Sequence, residues 1–197
     1  MKILFAIMTC KNDKPEYRFR RSAQDAAWVN RARDLGWDVQ EFDGQRLGVK
    51  DDYYHLSQKT QGICKYAVRE NYDALMKLDD DTYIDIEKFT PPLAEYAGIF
   101  QKANDYGTKL ILDWPAGTFP FPYASGGAYW MTRAAFTVIA NAPEHIEWAE
   151  DRWVGNTLAK SGIFITPDPQ FGFDATAVIG TQLGARGLQQ IADNLLS

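Results

Sequence analysis

The chain has 197 residues and a mass of 22.3 kDa. At about 150 residues per domain this is one domain, residues 1–197, with little room for a second. Hydrophobic residues make up 46% and charged residues 24%, which argues against a long disordered chain or a fibre. The formal charge of −5 gives no overall attraction to nucleic acid or to an anionic membrane.

Ile3 to Met8 is a short continuous apolar run ending at polar Thr9, the pattern of a strand buried on both faces of an α/β sheet. It falls far short of the ~20 residues needed to cross a bilayer, and no small-residue cleavage site follows it, so a cytoplasmic location is expected. Cys10 and Cys64 make neither a metal-ligand pair nor a disulfide framework, and reduced thiols fit that location. Arg18 to Leu35 lacks Pro and Gly and stops at Gly36, marking a helix. Lys14, Arg18, Arg20, Arg21, Arg31 and Arg33 crowd this region, as a solvated helix face or as an anion site.

A second strand follows at Trp37 to Phe42, then a surface loop from Gly44 to Tyr53 and a helix from Leu56 to Glu70. Asp73 to Leu78 is a third strand, ending at Asp79, Asp80 and Asp81. Three adjacent carboxylates at the mouth of a buried strand repel one another unless a cation compensates. In an extended stretch Asp79 and Asp81 project together while Asp80 points away, and two oxygen donors on one side suit Mn²⁺ or Mg²⁺. A solvated acidic turn is the alternative for an isolated triplet.

Pro91 and Pro92 stand at the start of an expected helix from Leu93 to Asn104, closed by Gly107 and followed by a strand at Lys109 to Leu112. Phe121 to Tyr129 holds Gly126 and Gly127, which let backbone approach a ligand closely, with Tyr123 and Tyr129 as candidate stacking faces. A plain turn into a strand at Ala128 to Met131 also fits. A helix at Arg133 to Asn141 and another at Glu150 to Ser161 come next, the second opening on Glu150 and Asp151. One acid there favours the helix dipole and the other is a candidate general base. Leu188 to Leu196 belongs to a terminal helix of about residues 186–197. The alternation of strands and helices points to a mixed, mostly parallel sheet with helices on both faces.

Several of these segments together resemble the Fringe and β-1,3-galactosyltransferase-like glycosyltransferases. Lys2 to Cys10 matches the first strand, and Tyr17 to Trp28 the Arg-rich segment. Asp52-Tyr-Tyr-His-Leu-Ser-Gln-Lys-Thr60 is similar to the family's D-x-Y-x-N-L-x-x-K-T, and Met76-Lys-Leu-Asp-Asp-Asp-Thr-Tyr83 to its K-x-D-D-D-x-F. Tyr123 to Tyr129 and Glu150 to Gly155 complete the set, in the family's order. The resemblance implies a GT-A fold, Rossmann-like and nucleotide-sugar-binding, and an inverting transfer from a nucleotide sugar, expected to be a UDP-sugar, with Mn²⁺ or Mg²⁺. Asp81 and Asp79 would hold the metal, with Asp79 also touching the nucleotide, and Asp151 would be the catalytic base. Asp79, Asp80, Arg20, Arg21, Lys59, Gly126 and Gly127 are the expected donor contacts.

The sequence departs from the family at its downstream histidine metal ligand. His55 and His145 are the only histidines and neither follows Asp151, so Asp168, Asp174 or water would stand in. The chain ends soon after the base and shows no anchor or lumenal cysteine pattern, which implies a compact bacterial or viral form. A saccharide hydroxyl is the expected acceptor, with a hydroxymethylated base in DNA as the alternative. Tyr54, Trp114, Phe119, Phe121, Trp130, Trp148 and Trp153 supply aromatic faces suited to either. A nucleotide-sugar-binding domain without catalysis is the non-enzymatic alternative.

Overall fold

The computed structural model describes residues 1–10, 15–103, 120–146 and 149–195. Lys14, Trp114, Phe119, Trp148 and the strand expected at Lys109 to Leu112 lie outside them.

Strand β1 (Ile3–Met8) is buried along its whole length. Side chains alternate across a strand, so Ile3, Phe5 and Ile7 enter one core with Trp28, Met76, Leu78 and Trp130. Leu4, Ala6 and Met8 enter a second core with Ile63, Leu75, Tyr129, Phe136 and Leu158. Both faces must therefore be covered, which explains the unbroken apolar run. Helices α1 (Pro15–Gln24) and α2 (Asn30–Asp34), joined by a π-helical turn at Asp25–Val29, cover the first face. Gly36, at φ 85°, closes this helical stretch in the left-handed region.

Strand β2 (Asp38–Phe42) runs parallel to β1. The segment expected as a loop contains a one-turn helix, α3 (Gly44–Leu47), because the Asp43 carboxylate accepts the Arg46 N–H and caps it. A 3₁₀ turn at Tyr53–His55, capped by Asp52, leads into α4 (Leu56–Arg69) on the second face. Strand β3 (Ala74–Asp79) lies parallel to β1 with Met8 opposite Asp79. Then come β4 (Tyr83–Ile84), β5 (Tyr96–Gln101) and the long β6 (Tyr123–Thr132). Helices α5 (Arg133–Asn141) and α6 (Glu150–Lys160) join α4 on the second face. The chain continues through β7 (Thr166–Pro167), β8 (Phe171–Gly172) and β9 (Ile179–Gly180) to α7 (Gly184–Leu195), which places Leu188 and Ala192 in the first core.

The main sheet has the order β2-β1-β3-β6-β5-β7, and β4-β9-β8 form a smaller one. In the main sheet β6 is antiparallel to β3 and β5, and the other pairings are parallel. The mixed α/β architecture with helices on both faces is the one expected.

The helix expected at Leu93 to Asn104 is instead strand β5, between β6 and β7. Its pairing overrides local propensity: the Ala124 N–H donates to the Tyr96 hydroxyl at 2.8 Å, and a Cβ on Gly98 would stand 2.8 Å from that of Ala124. A similar close approach seats α6 on β6. A Cβ at Gly155 would lie 2.4 Å from the Tyr123 Cβ and 3.0 Å from the Pro122 carbonyl. Gly155→Ala is therefore expected to destabilise the protein by about 1–3 kcal/mol through overpacking. Thermal denaturation measures it, and an unchanged Tm would mean that α6 is not held at this spacing.

Candidate active site

At the end of β3 the chain turns tightly, with the Thr82 N–H donating to the Asp79 carbonyl at 3.2 Å. Gln24 donates to the carbonyls of Asp79 (3.2 Å) and Thr82 (2.8 Å), and the Trp28 indole donates to Thr82 (3.0 Å). The Leu183 N–H holds the Asp81 carbonyl at 3.2 Å, and the Thr82 hydroxyl donates to the Gly127 carbonyl at 2.9 Å. Gln24 and Trp28 come from the helix end and π turn on the neighbouring element. The backbone is thus held from three directions and the carboxylates are left for other work.

Because the stretch is a turn and not extended, Asp80 does not point away as expected. All three aspartates line one cavity of about 410 Å³, together with Thr9, Cys10, Tyr17, Arg20, Asp51, Tyr53 and Lys59. Asp80 is buried and accepts from the Thr9 hydroxyl (3.3 Å) and the Arg20 guanidinium (3.4 Å). Burial, then the Asp79 charge, raises its carboxyl above the ordinary value. The Asp81 carboxyl is pushed to about 6, by burial first and then by Asp79 and Asp80. Lys59, 2% exposed, donates to the Thr9 carbonyl and the Asp51 carboxylate, both at 2.6 Å, and ties the cavity wall to β1. Arg20 lines the cavity and Arg21 is not among its lining residues.

Asp151 occupies the first turn of α6. Its Oδ2 accepts the Gly126 N–H at 3.1 Å and its Oδ1 the Arg152 N–H at 2.8 Å. Burial raises its carboxyl, opposed by these bonds and by Lys77. Tyr53 connects the two halves of the site: it lines the cavity, and the charges of Asp151 and Asp79 add to burial in raising its phenol. Gly127 serves packing, since a Cβ there would come within 2.8 Å of the Thr181 Cβ.

Sequence reasoning missed the buried group beneath the site. Lys77 on β3 ion-pairs with Asp79 at 2.6 Å and Glu150 at 3.7 Å. Burial alone would lower its ammonium, but Asp79 and Glu150 outweigh that and raise it. Glu150 is no helix cap: its Oε1 accepts from the Tyr129 hydroxyl and, at 2.9 Å, from the Thr60 hydroxyl. Its burial carries the carboxyl up to about 7 despite Lys77. The sequence signals for Lys77 are its place inside an apolar strand and its match to the lysine of K-x-D-D-D-x-F, and neither reveals its burial or its partners.

The expected stacking faces are also corrected. Tyr123, Tyr129, Trp130 and Trp153 are all buried, spent on the cores, whereas Tyr53 and Tyr54 are 65% and 68% exposed. His55 pairs with Asp52, a lining residue of the same cavity, and His145 stacks on Trp153. Asp168 accepts the Gln170 N–H at 2.9 Å and Asp174 the Thr176 N–H at 2.8 Å, so both serve local turns. No group of three or more His, Cys, Asp or Glu able to hold a metal forms among the described residues. A larger cavity of about 770 Å³ opens between α5 and α6 and is lined by Trp153 but by none of the expected catalytic, donor-binding or metal residues.

The sequence matches the family described as galactosyltransferase over residues 43–169, well over half of the chain. The chain belongs to the galactosyltransferase family. As a family member it is a glycosyltransferase, taking a sugar from a nucleotide-sugar donor to an acceptor. Among solved structures it is similar to a glycosyltransferase involved in the glycosylation of the major capsid of PBCV-1. That likeness has a TM-score of 0.51 and 11% identity and covers 96% of this chain and 98% of the other. It supports the GT-A fold of this glycosyltransferase. The catalytic domain of Drosophila β1,4-galactosyltransferase 7 matches at 14% identity and a TM-score of 0.49, over 83% of this chain and 64% of that one. No curated protein matches the sequence. Among the described residues, no helix of this glycosyltransferase is long and apolar enough to cross a membrane.

Proposed function

We propose that this glycosyltransferase uses a UDP-sugar with Mn²⁺ or Mg²⁺ and transfers the sugar, with inversion, to a saccharide hydroxyl. The supporting observation is the placement of Asp79, Asp80 and Asp81 on one cavity, whose lining residue Tyr53 feels the charges of both Asp79 and Asp151. Asp81 and Asp79 would hold the metal. Two carboxylates are too few for a closed protein cage but suit a hard cation that completes its shell with water and a diphosphate. The raised Asp81 carboxyl fits such a group, since burial and the charges of Asp79 and Asp80 act on it and Arg20 and Lys77 offset them only in part. When bound, the metal supplies positive charge that offsets the charge developing on the leaving nucleoside diphosphate.

The chain's own residues supply the rest. Arg20, 34% exposed at its side chain, has guanidinium donors left over from Asp80 for a phosphate oxygen. Lys59 keeps the Thr9 and Asp51 wall in place. Asp151 takes the proton of the acceptor hydroxyl as that oxygen bonds to the anomeric carbon. The anomeric bond to the diphosphate oxygen breaks on the opposite face, with its electron pair leaving on the nucleotide. Burial makes Asp151 more basic than an ordinary aspartate. Exposed Tyr53 and Tyr54 offer faces for a sugar ring, and the charge of −5 disfavours a polyanionic acceptor. The two free thiols, Cys10 and Cys64, suit work in the cytosol.

Incubation with a panel of nucleotide sugars and Mn²⁺, reading released nucleotide, is expected to give turnover with a UDP-sugar. Labelled transfer to a mixed glycan panel is expected to exceed transfer to hydroxymethylcytosine-containing DNA. Efficient labelling of DNA alone, falling steeply with salt, would overturn the acceptor assignment. Nucleotide binding without turnover on any acceptor would favour a binding domain.

A further inference from the structure

Lys77 stands two residues before Asp79 on β3, so both side chains leave the same face of the strand. Its ammonium donates to Asp79 Oδ1 at 2.6 Å and to the Gly126 carbonyl at 2.5 Å, and it ion-pairs with Glu150 Oε2 at 3.7 Å. The same Gly126 residue gives its N–H to Asp151. An unbroken line of polar contacts therefore runs from Asp79 through Lys77 and Gly126 to Asp151. We propose that Lys77 is a positioning residue that sets the donor-side carboxylate and the base at a fixed spacing. The proposal rests on the reading of Asp79 and Asp151 given above.

The surroundings leave Lys77 little freedom. It is 1% exposed, pairs across the sheet with Tyr129 in the β3–β6 register, and lies 5.5 Å from the Tyr129 ring centre. Tyr129 and Thr60 both donate to Glu150, which fixes the first turn of α6, the turn that carries Asp151. A Cβ on Gly126 would stand 3.4 Å from Asp151 Oδ2 and from Glu150 Oε2, so the chain at Gly126 is closely seated against both. Strand β3, strand β6 and helix α6 thus meet at one ammonium. The competing explanation is that Lys77 only neutralises buried Glu150.

The two explanations separate in a Glu150→Gln background, where no buried charge at that position needs a partner. Lys77→Met is added to Glu150→Gln, and the double variant is compared with the single one. Positioning predicts a melting temperature within a few degrees and an acceptor KM within about threefold, with kcat lower by about 10- to 100-fold. The groups facing Asp151 are Lys77 from β3, Glu150 and Arg152 from α6, Tyr53 from the 3₁₀ turn and Tyr96 from β5. Only Lys77 differs between the two proteins. Loss of its charge moves the acid limb of the rate profile, and the Asp151 carboxyl signal in NMR, to higher pH. Equal kcat and equal Asp151 titration in the two variants would overturn the proposal and leave Lys77 a neutraliser. An Asp151 signal that moves upward in a protein showing no transfer to any acceptor supports the coupling while rejecting the transferase mechanism on which it was built.

Discussion

Asp151→Asn is expected to leave donor affinity within about twofold and to lower kcat by roughly a hundredfold or more. The substitution keeps the size of the side chain, and its single amide oxygen still accepts one of the two backbone N–H bonds, from Gly126 or Arg152, that Asp151 now takes. The helix start therefore stays in place while basicity disappears. In the parent the rate should rise with pH as Asp151 loses its proton, with the limb above the ordinary aspartate value because burial disfavours the charged carboxylate. In the variant that limb should vanish. Calorimetric titration with UDP and Mn²⁺ reads the first quantity and a pH series of kcat the second. Turnover equal to the parent's would remove Asp151 from the chemistry and leave it as an acceptor for the Gly126 and Arg152 amides.

What the sequence shows and what it hides differ in range. Ile3–Met8 is legible because burial on both faces leaves a continuous apolar run, and the helix at Glu150 because acids cluster at its start. Asp79, Asp80 and Asp81 stand out because three like charges at a strand end are costly. The segment Leu93 to Asn104 misleads because its alanines and long side chains favour a helix locally. The pairing that makes Tyr96–Gln101 a strand comes from β6, beginning at Tyr123. The direction of Asp80 was misread for a related reason: the turn depends on Gln24 and Trp28, distant in sequence from the carbonyls they hold. Lys77 is the clearest case. It is visible as the lysine of the K-x-D-D-D-x-F-like segment, but its burial makes sense only once Glu150, 73 residues away, arrives beside it. The charges proposed to carry the chemistry are local and visible, and the contacts that hold them in place are not.

Asp81→Ala is expected to abolish metal-dependent UDP binding and, in the same protein, to raise the melting temperature measured without metal. Both follow from one property. Burial and the charges of Asp79 and Asp80 push the Asp81 carboxyl from 3.8 to about 6. A folded-state value above the unfolded one means that ionisation opposes folding: the penalty is absent below about pH 4, develops as pH rises through about 6, and is complete above it. A shift of this size corresponds to on the order of 2–3 kcal/mol at most, several degrees in Tm for a chain of this length. The gain in the variant should therefore appear at pH 7 and fade by pH 4. Opposing it, the loss of one of two proposed oxygen ligands removes the cation and with it the diphosphate's main counter-charge, so calorimetry with UDP and Mn²⁺ should show no saturable binding. Binding as tight as the parent's would exclude Asp81 as a ligand. A Tm difference that did not depend on pH would show that its carboxylate is not strained by its neighbours, because a packing change alone has no reason to follow a proton.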